Sequence, residues 1–344
     1  MKCVSVNTAE SYLVKIGSGI LNTIGNEISA LGKVEKICIV SDSNVFPLYG
    51  TALLEELNRT KFDTSHYVFS AGEHMKNGST YLSLLNHLAI NQLTRSDLII
   101  ALGGGVVGDL AGFAAATYLR GIRYVQIPTT ILAAVDSSVG GKTAIDLDAG
   151  KNLAGAFHQP SLVLCDTDLL TSLPDPVFRD GCAEIIKYSI LYDESFFSYL
   201  EKHGLSFDRE YVIQRCVELK RDAVVADEFD TGLRMLLNLG HTVGHGVEAK
   251  SNFTISHGSA VAIGIAIVSR ASNCPDTSRI VALLKKFGLP TQTHYSAESL
   301  FQYTLSDKKR AGSTVRLIIP DRIGQCSIVP TCIQQLKSFI QAGL

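Results

Sequence analysis

Asp97-Leu-Ile-Ile-Ala-Leu-Gly-Gly-Gly-Val-Val-Gly-Asp109 is the stretch on which the fold turns. Residues 97–102 put apolar side chains on both faces, as a strand buried between two layers must, whereas a half-exposed strand would alternate. Three glycines follow at once, and then an Ala-rich helical pattern over 106–117. The chain is therefore expected to leave a central strand through a tight turn and enter a helix. Working outward, further strand candidates lie at 36–40, 66–69, 124–127 and 161–165, with helical spacing at 48–57 and 78–91. Strands separated by helices predict an α/β, Rossmann-like domain with a parallel sheet covered on both faces.

Beyond Leu173-Pro-Asp-Pro176 the character changes. Helical patterns occupy 181–191, 195–203, 209–225, 233–249 and 257–272, and strand signals return faintly at 315–319 and 325–329. This predicts two domains: 1–177, α/β and nucleotide-binding, and 178–344, an all-α domain. The length agrees, since 344 residues at ~150 per domain give roughly two.

Composition narrows the function classes. Hydrophobic residues make up 46% and charged residues 19%, which excludes intrinsic disorder. Thirty-one Lys and Arg against 33 Asp and Glu leave a net charge of −2, no global field for nucleic acid or an anionic membrane. The longest apolar stretch, 260–268, falls well short of the ~20 residues of a membrane span. The eight cysteines form no Cys-x-x-Cys pair and sit mostly in apolar runs. With no apolar leader-like run at the N-terminus, a soluble cytoplasmic protein is expected.

Three motifs carry chemistry. Gly103-x-Gly105-x-x-Gly108 matches the dinucleotide fingerprint, in which backbone N–H groups at a helix N-terminus meet phosphate oxygens. Tight strand–helix packing alone produces the same glycines. Asp136-Ser-Ser-Val-Gly-Gly-Lys-Thr143 ends like a P-loop, but Asp136 occupies the place of that pattern's first glycine, so a nucleotide-triphosphatase reading fails. Third, Arg234, Asn238, His241 and His245 are spaced +4, +3 and +4, one face of a helix, with His257 opening the next. Two histidines at i, i+4 suit Zn²⁺, but Thr242 stands where a zinc protease needs glutamate. Glu184 is a candidate carboxylate ligand; paired with Lys187 at i, i+3, it faces either solvent or the interior, and the pattern does not choose.

Taken with Pro128-Thr-Thr130, Gly150-Lys-Asn152 and Ala183-Glu-Ile-Ile-Lys187, these motifs, in this order from about Asp42 to Gly324, resemble the 3-dehydroquinate synthase family. The resemblance implies a lyase of the shikimate pathway of aromatic amino acid biosynthesis. The family converts 3-deoxy-D-arabino-heptulosonate 7-phosphate to 3-dehydroquinate and phosphate. It does so by transient oxidation at C5 with NAD, β-elimination of phosphate, re-reduction and intramolecular aldol closure. It also implies NAD and Zn²⁺ or Co²⁺ as cofactors and a homodimer.

Residue by residue, the resemblance assigns Asp42, Asn44, Glu73, Lys76, Gly104, Gly105, Asp109, Thr129, Thr130, Lys151 and Ser172 to NAD. Glu184, His241 and His257 are implied as metal ligands. Arg120 (from the neighbouring subunit), Asp136, Lys142, Lys151, Asn152, Lys187, Lys220, Arg234, Asn238, His245 and Lys309 are implied around the substrate. Of these, Lys142, Asn152 and His245 join Asp230 as the catalytic set, with His245 as general acid/base. An anionic substrate accounts for so many fixed cations. The competing readings are a related sugar phosphate cyclase and a metal-dependent polyol dehydrogenase; the latter would not need the lysines.

Three motifs depart from the family's pattern. Asp227-Glu-Phe-Asp230 replaces Asp-Glu-Arg-Glu, His257-Gly-Ser259 replaces His-Gly-Glu, and Ser172 replaces a common threonine. The second removes a carboxylate from beside a metal ligand, from which a looser hold on the metal is expected.

Overall fold

A computed structural model describes residues 1–60, 62–308 and 314–344, with no side chains over 304–308. In chain order the elements are β1 Lys2–Val6, β2 Tyr12–Gly17, α1 Ile24–Ala30, β3 Lys36–Asp42, α2 Thr51–Arg59, β4 Asp63–Phe69, α3 Gly78–Ile90, β5 Leu98–Gly103, α4 Gly105–Thr117, β6 Arg123–Pro128, β7 Lys142–Leu147, β8 Gly150–Phe157 and β9 Leu162–Asp166. There follow α5 Asp175–Tyr192, α6 Glu194–His203, α7 Arg209–Ala226, α8 His241–Lys250, α9 His257–Ala271, α10 Thr277–Lys286, α11 Ala297–Lys308, the strands β10 Thr314–Arg322 and β11 Gln325–Cys332, and α12 Ile333–Gly343.

The chain divides into two compact units, Met1–Leu173 with Arg209–Phe229, and Pro174–Asp208 with Asp230–Leu344. In the first, seven strands lie in the order β1-β2-β9-β6-β5-β3-β4. All neighbours are parallel except the edge pair β1–β2. Strand β5 is buried along its whole length. Its Ile99 and Ala101 join one core with Leu84 and Leu88 of α3 and Leu110 and Ala114 of α4. Its Leu98, Ile100 and Leu102 join another with Ile24 and Ile28 of α1 and Leu53 and Leu57 of α2. The two-residue period of a strand thus feeds two hydrophobic layers, which is why 97–102 carries no polar alternation. Consecutive strands β3 and β4 pair on one side while β5 pairs on the other face-edge of β3, so strand order reverses between β3 and β5. Carboxyl ends of strands at such a reversal form the usual ligand crevice of doubly wound sheets.

Two features were not legible as a simple cut at 177/178. Helix α7 packs within the first unit, on β1, β2 and the turn Ala133–Ser137. And the second unit, though helical, holds the antiparallel hairpin β10–β11. At its centre is α9, buried continuously from Ala260 to Ser269. Being apolar all round marks it as a core helix; among the described residues, no helix is long and apolar enough to cross a membrane.

Candidate active site

In the first unit the sequence motifs meet at the carboxyl ends of the strands. Gly103 ends β5 and Gly104 caps α4 with no side chain. A Cβ on Gly104 would lie 3.0 Å from Thr130 Cγ2, and one on Gly105 3.2 Å from Ser137 Oγ, so this turn and the segment after β6 are in close approach and a side chain at either glycine would crowd it. Thr129 donates its N–H to Gly103 O at 3.0 Å, while its buried hydroxyl has no hydrogen-bond partner among the described residues. That is an N-terminal helix cradle with an unspent hydroxyl, a good fit to a dinucleotide phosphate. Asp42 closes β3 and accepts N–H bonds from Asn44 (2.8 Å) and Val45 (3.0 Å) through one oxygen. Ser172 accepts from Tyr49 Oη at 2.5 Å.

Beside the turn lies a charged knot. Lys76 is 4% exposed; its ammonium meets Asp109 at 2.6 Å, Asn152 Oδ1 at 2.5 Å and Glu73 at 3.8 Å. Burial alone would lower the Lys76 pKa, but the Asp109 and Glu73 carboxylates outweigh it and raise it. Asn152, with φ of +56°, has its N–H held by Asp146 at 2.8 Å, and Lys151 reaches Glu73 at 3.7 Å. Lys220, buried on α7, pairs with Asp136. Lys142 is exposed on β7. Arg120 stands apart: it follows α4, whose 13 residues put it about 20 Å from the glycine turn by helix rise. Leu119 and Arg120 both have positive φ, and the Arg120 side chain is exposed.

In the second unit the helical face expected over 233–249 is broken. Leu233–Asn238 is a 3₁₀ helix, Gly240 turns at φ +78°, and α8 begins at His241. The break serves packing: a Cβ on Gly240 would sit 2.6 Å from Ile265 Cγ1, and one on Gly264 2.0 Å from Gly240 O, so α8 and α9 touch through glycine. Arg234 (buried) and Asn238 (exposed) therefore belong to a separate element from His241 and His245. His241 opens α8, His257 opens α9, and Glu184 lies mid-α5.

Their ligand atoms all lie within 4.8 Å of one another. Glu184 faces the interior, 0% exposed, and among the described residues neither carboxylate oxygen has a hydrogen bond of good geometry. One oxygen is ion-paired with buried Lys187. The other stands 3.5 Å from His241 Nε2 and 3.4 Å from His257 Nε2. His241 Nδ1 donates to Leu239 O at 3.1 Å and His257 Nδ1 to Glu248 Oε2 at 3.4 Å, so both rings are oriented with Nε2 towards Glu184. Burial, then Lys187 and the neighbouring imidazoles, hold His241 well below the ordinary histidine pKa. Burial opposes a charged His257 too, but Glu184 and Glu248 outweigh it and raise its pKa to about 10. Two oriented imidazoles and an unsatisfied buried carboxylate fit a divalent ion with positions left open. His245, one turn beyond His241, is exposed, its ring 5.5 Å from that of His241.

Glu248 was missed in the sequence, although its place seven residues after His241 puts it on the same helix face. It supplies a carboxylate to His257 that Ser259 cannot. Ser259 instead turns to Asp180, at 2.7 Å from its N–H and 3.1 Å from its hydroxyl. Asp230 has φ of +57°. Lys309 lies outside the described residues.

Residues 66–180 match the family model of the 3-dehydroquinate synthase N-terminal region and residues 181–310 that of its C-terminal region. A 3-dehydroquinate synthase of Enterococcus faecalis is 40% identical over 352 residues, covering 99% of this chain and 98% of the relative. The chain also superposes on a solved 2-deoxy-scyllo-inosose synthase complexed with carbaglucose-6-phosphate, NAD⁺ and Co²⁺, at TM-score 0.89, 25% identity and full coverage of both. A 2-epi-5-epi-valiolone synthase from Streptomyces hygroscopicus with NAD⁺ and Zn²⁺ bound gives 0.87 at 26% identity, covering 98% of each.

Proposed function

The chain belongs to the 3-dehydroquinate synthase family, and from that premise we propose how its residues divide the work of turning 3-deoxy-D-arabino-heptulosonate 7-phosphate into 3-dehydroquinate and phosphate. When bound, NAD supplies a hydride acceptor that is restored within the cycle, and Zn²⁺ or Co²⁺ supplies a Lewis acid for the C5 oxygen. Glu184, His241 and His257 are the residues that would hold the ion; the Gly104–Gly105 turn, with Asp42, Lys76, Asp109 and Thr129 about it, would hold the dinucleotide. The observation that carries this reading is the Glu184 carboxylate, fully buried and unsatisfied opposite two imidazole Nε2 atoms.

The chain's own groups do the rest. Lys142, Lys151, Lys187, Lys220 and Arg234 neutralise the substrate phosphate and carboxylate. Lys220 with Asp136, Lys187 with Glu184 and Lys151 with Glu73 already have carboxylate partners, which fixes them before substrate arrives. Asn152, pinned by Lys76 and Asp146, orients the substrate, while His245 and Asp230 exchange protons with it. A polyol dehydrogenase is not favoured, having no use for these cations.

An assay with purified protein, NAD⁺, Zn²⁺ and the heptulosonate phosphate tests the reading. Stoichiometric phosphate release without lasting NADH is expected; no phosphate, or NADH that accumulates with turnover, overturns it. The remote and exposed Arg120 supports a homodimer in which it serves the neighbouring site. Sedimentation equilibrium should return twice the chain mass, and a monomer mass in the active preparation would refute this. All eight cysteines are free, which supports the reducing cytoplasm as location.

A further inference from the structure

Helix α9 begins in an unusual way. Its N-cap position is Ser256, a residue type that ordinarily caps with its own hydroxyl, yet Ser256 makes no such bond. The first-turn N–H groups go instead to a carboxylate from another helix. Gly258 N–H donates to Asp180 Oδ2 at 3.0 Å and Ser259 N–H to Asp180 Oδ1 at 2.7 Å. The hydroxyls of Ser259 and Ser256 donate to the same Oδ1. The approach is so close that a Cβ on Gly258 would lie 1.9 Å from Asp180 O. Only glycine allows the two backbones to meet there.

Asp180 sits on α5 four residues before Glu184, so both project from one face of that helix, one turn apart. Its acceptors are spent on the residues either side of His257, Ser256 before it and Gly258 and Ser259 after it. One carboxylate therefore ties the turn bearing Glu184 to the turn bearing His257. Glu248 fixes the imidazole from the other side, through Nδ1. The charge has a second use. A helix N-terminus carries about half a positive charge, which beside a cation-binding imidazole would oppose the ion; a carboxylate seated on those N–H groups cancels it.

We propose that Asp180 is a positioning residue that sets the separation of Glu184 and His257 and thereby the geometry and affinity of the divalent-ion site. The proposal rests on the metal reading above. At position 259, where the family's pattern has glutamate, the serine hydroxyl adds a further donor to Asp180.

The test measures Zn²⁺ and Co²⁺ affinity of the full chain by competition with a chromophoric chelator, the visible absorption of the Co²⁺-loaded protein, and the melting temperature of the metal-free protein. Asp180→Ala should bind both ions about tenfold or more weakly, as removal of a ligand's supporting group does, with an altered Co²⁺ spectrum. Asp180→Asn, which keeps one acceptor of the two, should fall between it and the parent. A lower melting temperature with unchanged affinity and unchanged spectrum in Asp180→Ala makes Asp180 a helix cap only and overturns the proposal. So does parental affinity and spectrum in Asp180→Asn, which decides the matter if the alanine variant fails to fold. Glu184→Gln separates the two claims. If it binds ions as the parent does, the metal reading itself is wrong; if it loses them while the Asp180 variants do not, only the positioning role fails.

Discussion

Asp97 and Glu184 are both buried carboxylates, 1% and 0% exposed, and they are used in opposite ways. Asp97 closes the turn before β5. It accepts N–H bonds from Lys36 (2.8 Å), Glu35 (3.3 Å) and Thr94 (2.6 Å), and an O–H bond from Thr94 (2.8 Å). Every donor lies at the start of β3 or in the segments just before β3 and β5, so the charge is consumed in holding the chain's shape. Glu184 has one ammonium beside it, no well-formed hydrogen bond, and two imidazole nitrogens at 3.4–3.5 Å. Burying a carboxylate costs several kcal/mol unless partners offset it. At Glu184 the offset comes from one ammonium and two imidazoles, without the hydrogen-bond cage that Asp97 has, and an oxygen facing two imidazole Nε2 atoms is placed to share a ligand that arrives from outside.

The sharpest way to break this contrast is Glu184→Gln. An amide keeps the volume but removes a hard anionic ligand, and the metal-free pocket keeps its histidines. Retention of Zn²⁺ after dialysis against chelator should fall at least about a hundredfold, beyond what loss of a supporting group does, and turnover should fall with it. Stability should suffer as well, because buried Lys187 loses the Glu184 carboxylate. Elemental analysis showing full metal content in this variant would put Glu184 in the same class as Asp97.

How much of this was readable in the sequence differs between the two places. The apolar run at 97–102 and the glycines after it fixed the central strand and the turn, because both signals are local: side-chain period and backbone freedom. The same holds for His257, read as the residue that opens a helix and found there. What escaped the sequence depends on packing between distant segments. The spacing from Arg234 to His245 reads as one helix, and only the approach of α9, through Gly264 against Gly240, breaks it. The burial of Glu184 was undecidable from a Glu–Lys pair flanked by apolar residues. Helix α7 shows its apolar stripe plainly, but a stripe does not name the surface it covers, here β1, β2 and the turn at Ala133–Ser137. Asp180 is one turn from Glu184 on the page, yet its donors come from a helix 77 residues further on in the chain, starting at His257.

The smaller effect belongs to Asp97, and it sharpens the contrast through pH. Asp97→Asn leaves an acceptor for one set of N–H groups but turns an amide NH₂ towards the Thr94 or Lys36 donors, a buried donor facing a donor. That should cost about 2–3 kcal/mol of unfolding free energy at pH 7 and leave metal affinity unchanged. Burial alone would raise the Asp97 pKa; the N–H groups of Lys36 and Thr94, with the Thr94 hydroxyl and Glu35, outweigh it and hold it below the usual carboxylate value. A depressed pKa in the folded state means that the stabilisation is fully present above the unfolded value of about 4 and is lost as pH falls through the folded one. Other carboxylates titrate in both proteins and cancel in the difference. The gap between the urea midpoints of parent and Asp97→Asn should therefore be constant from pH 7 down to about pH 5 and narrow below it. A gap that stays the same at pH 3 would mean that the charge on Asp97, as distinct from its oxygen geometry, contributes nothing, and the comparison with Glu184 would then be one of shape alone.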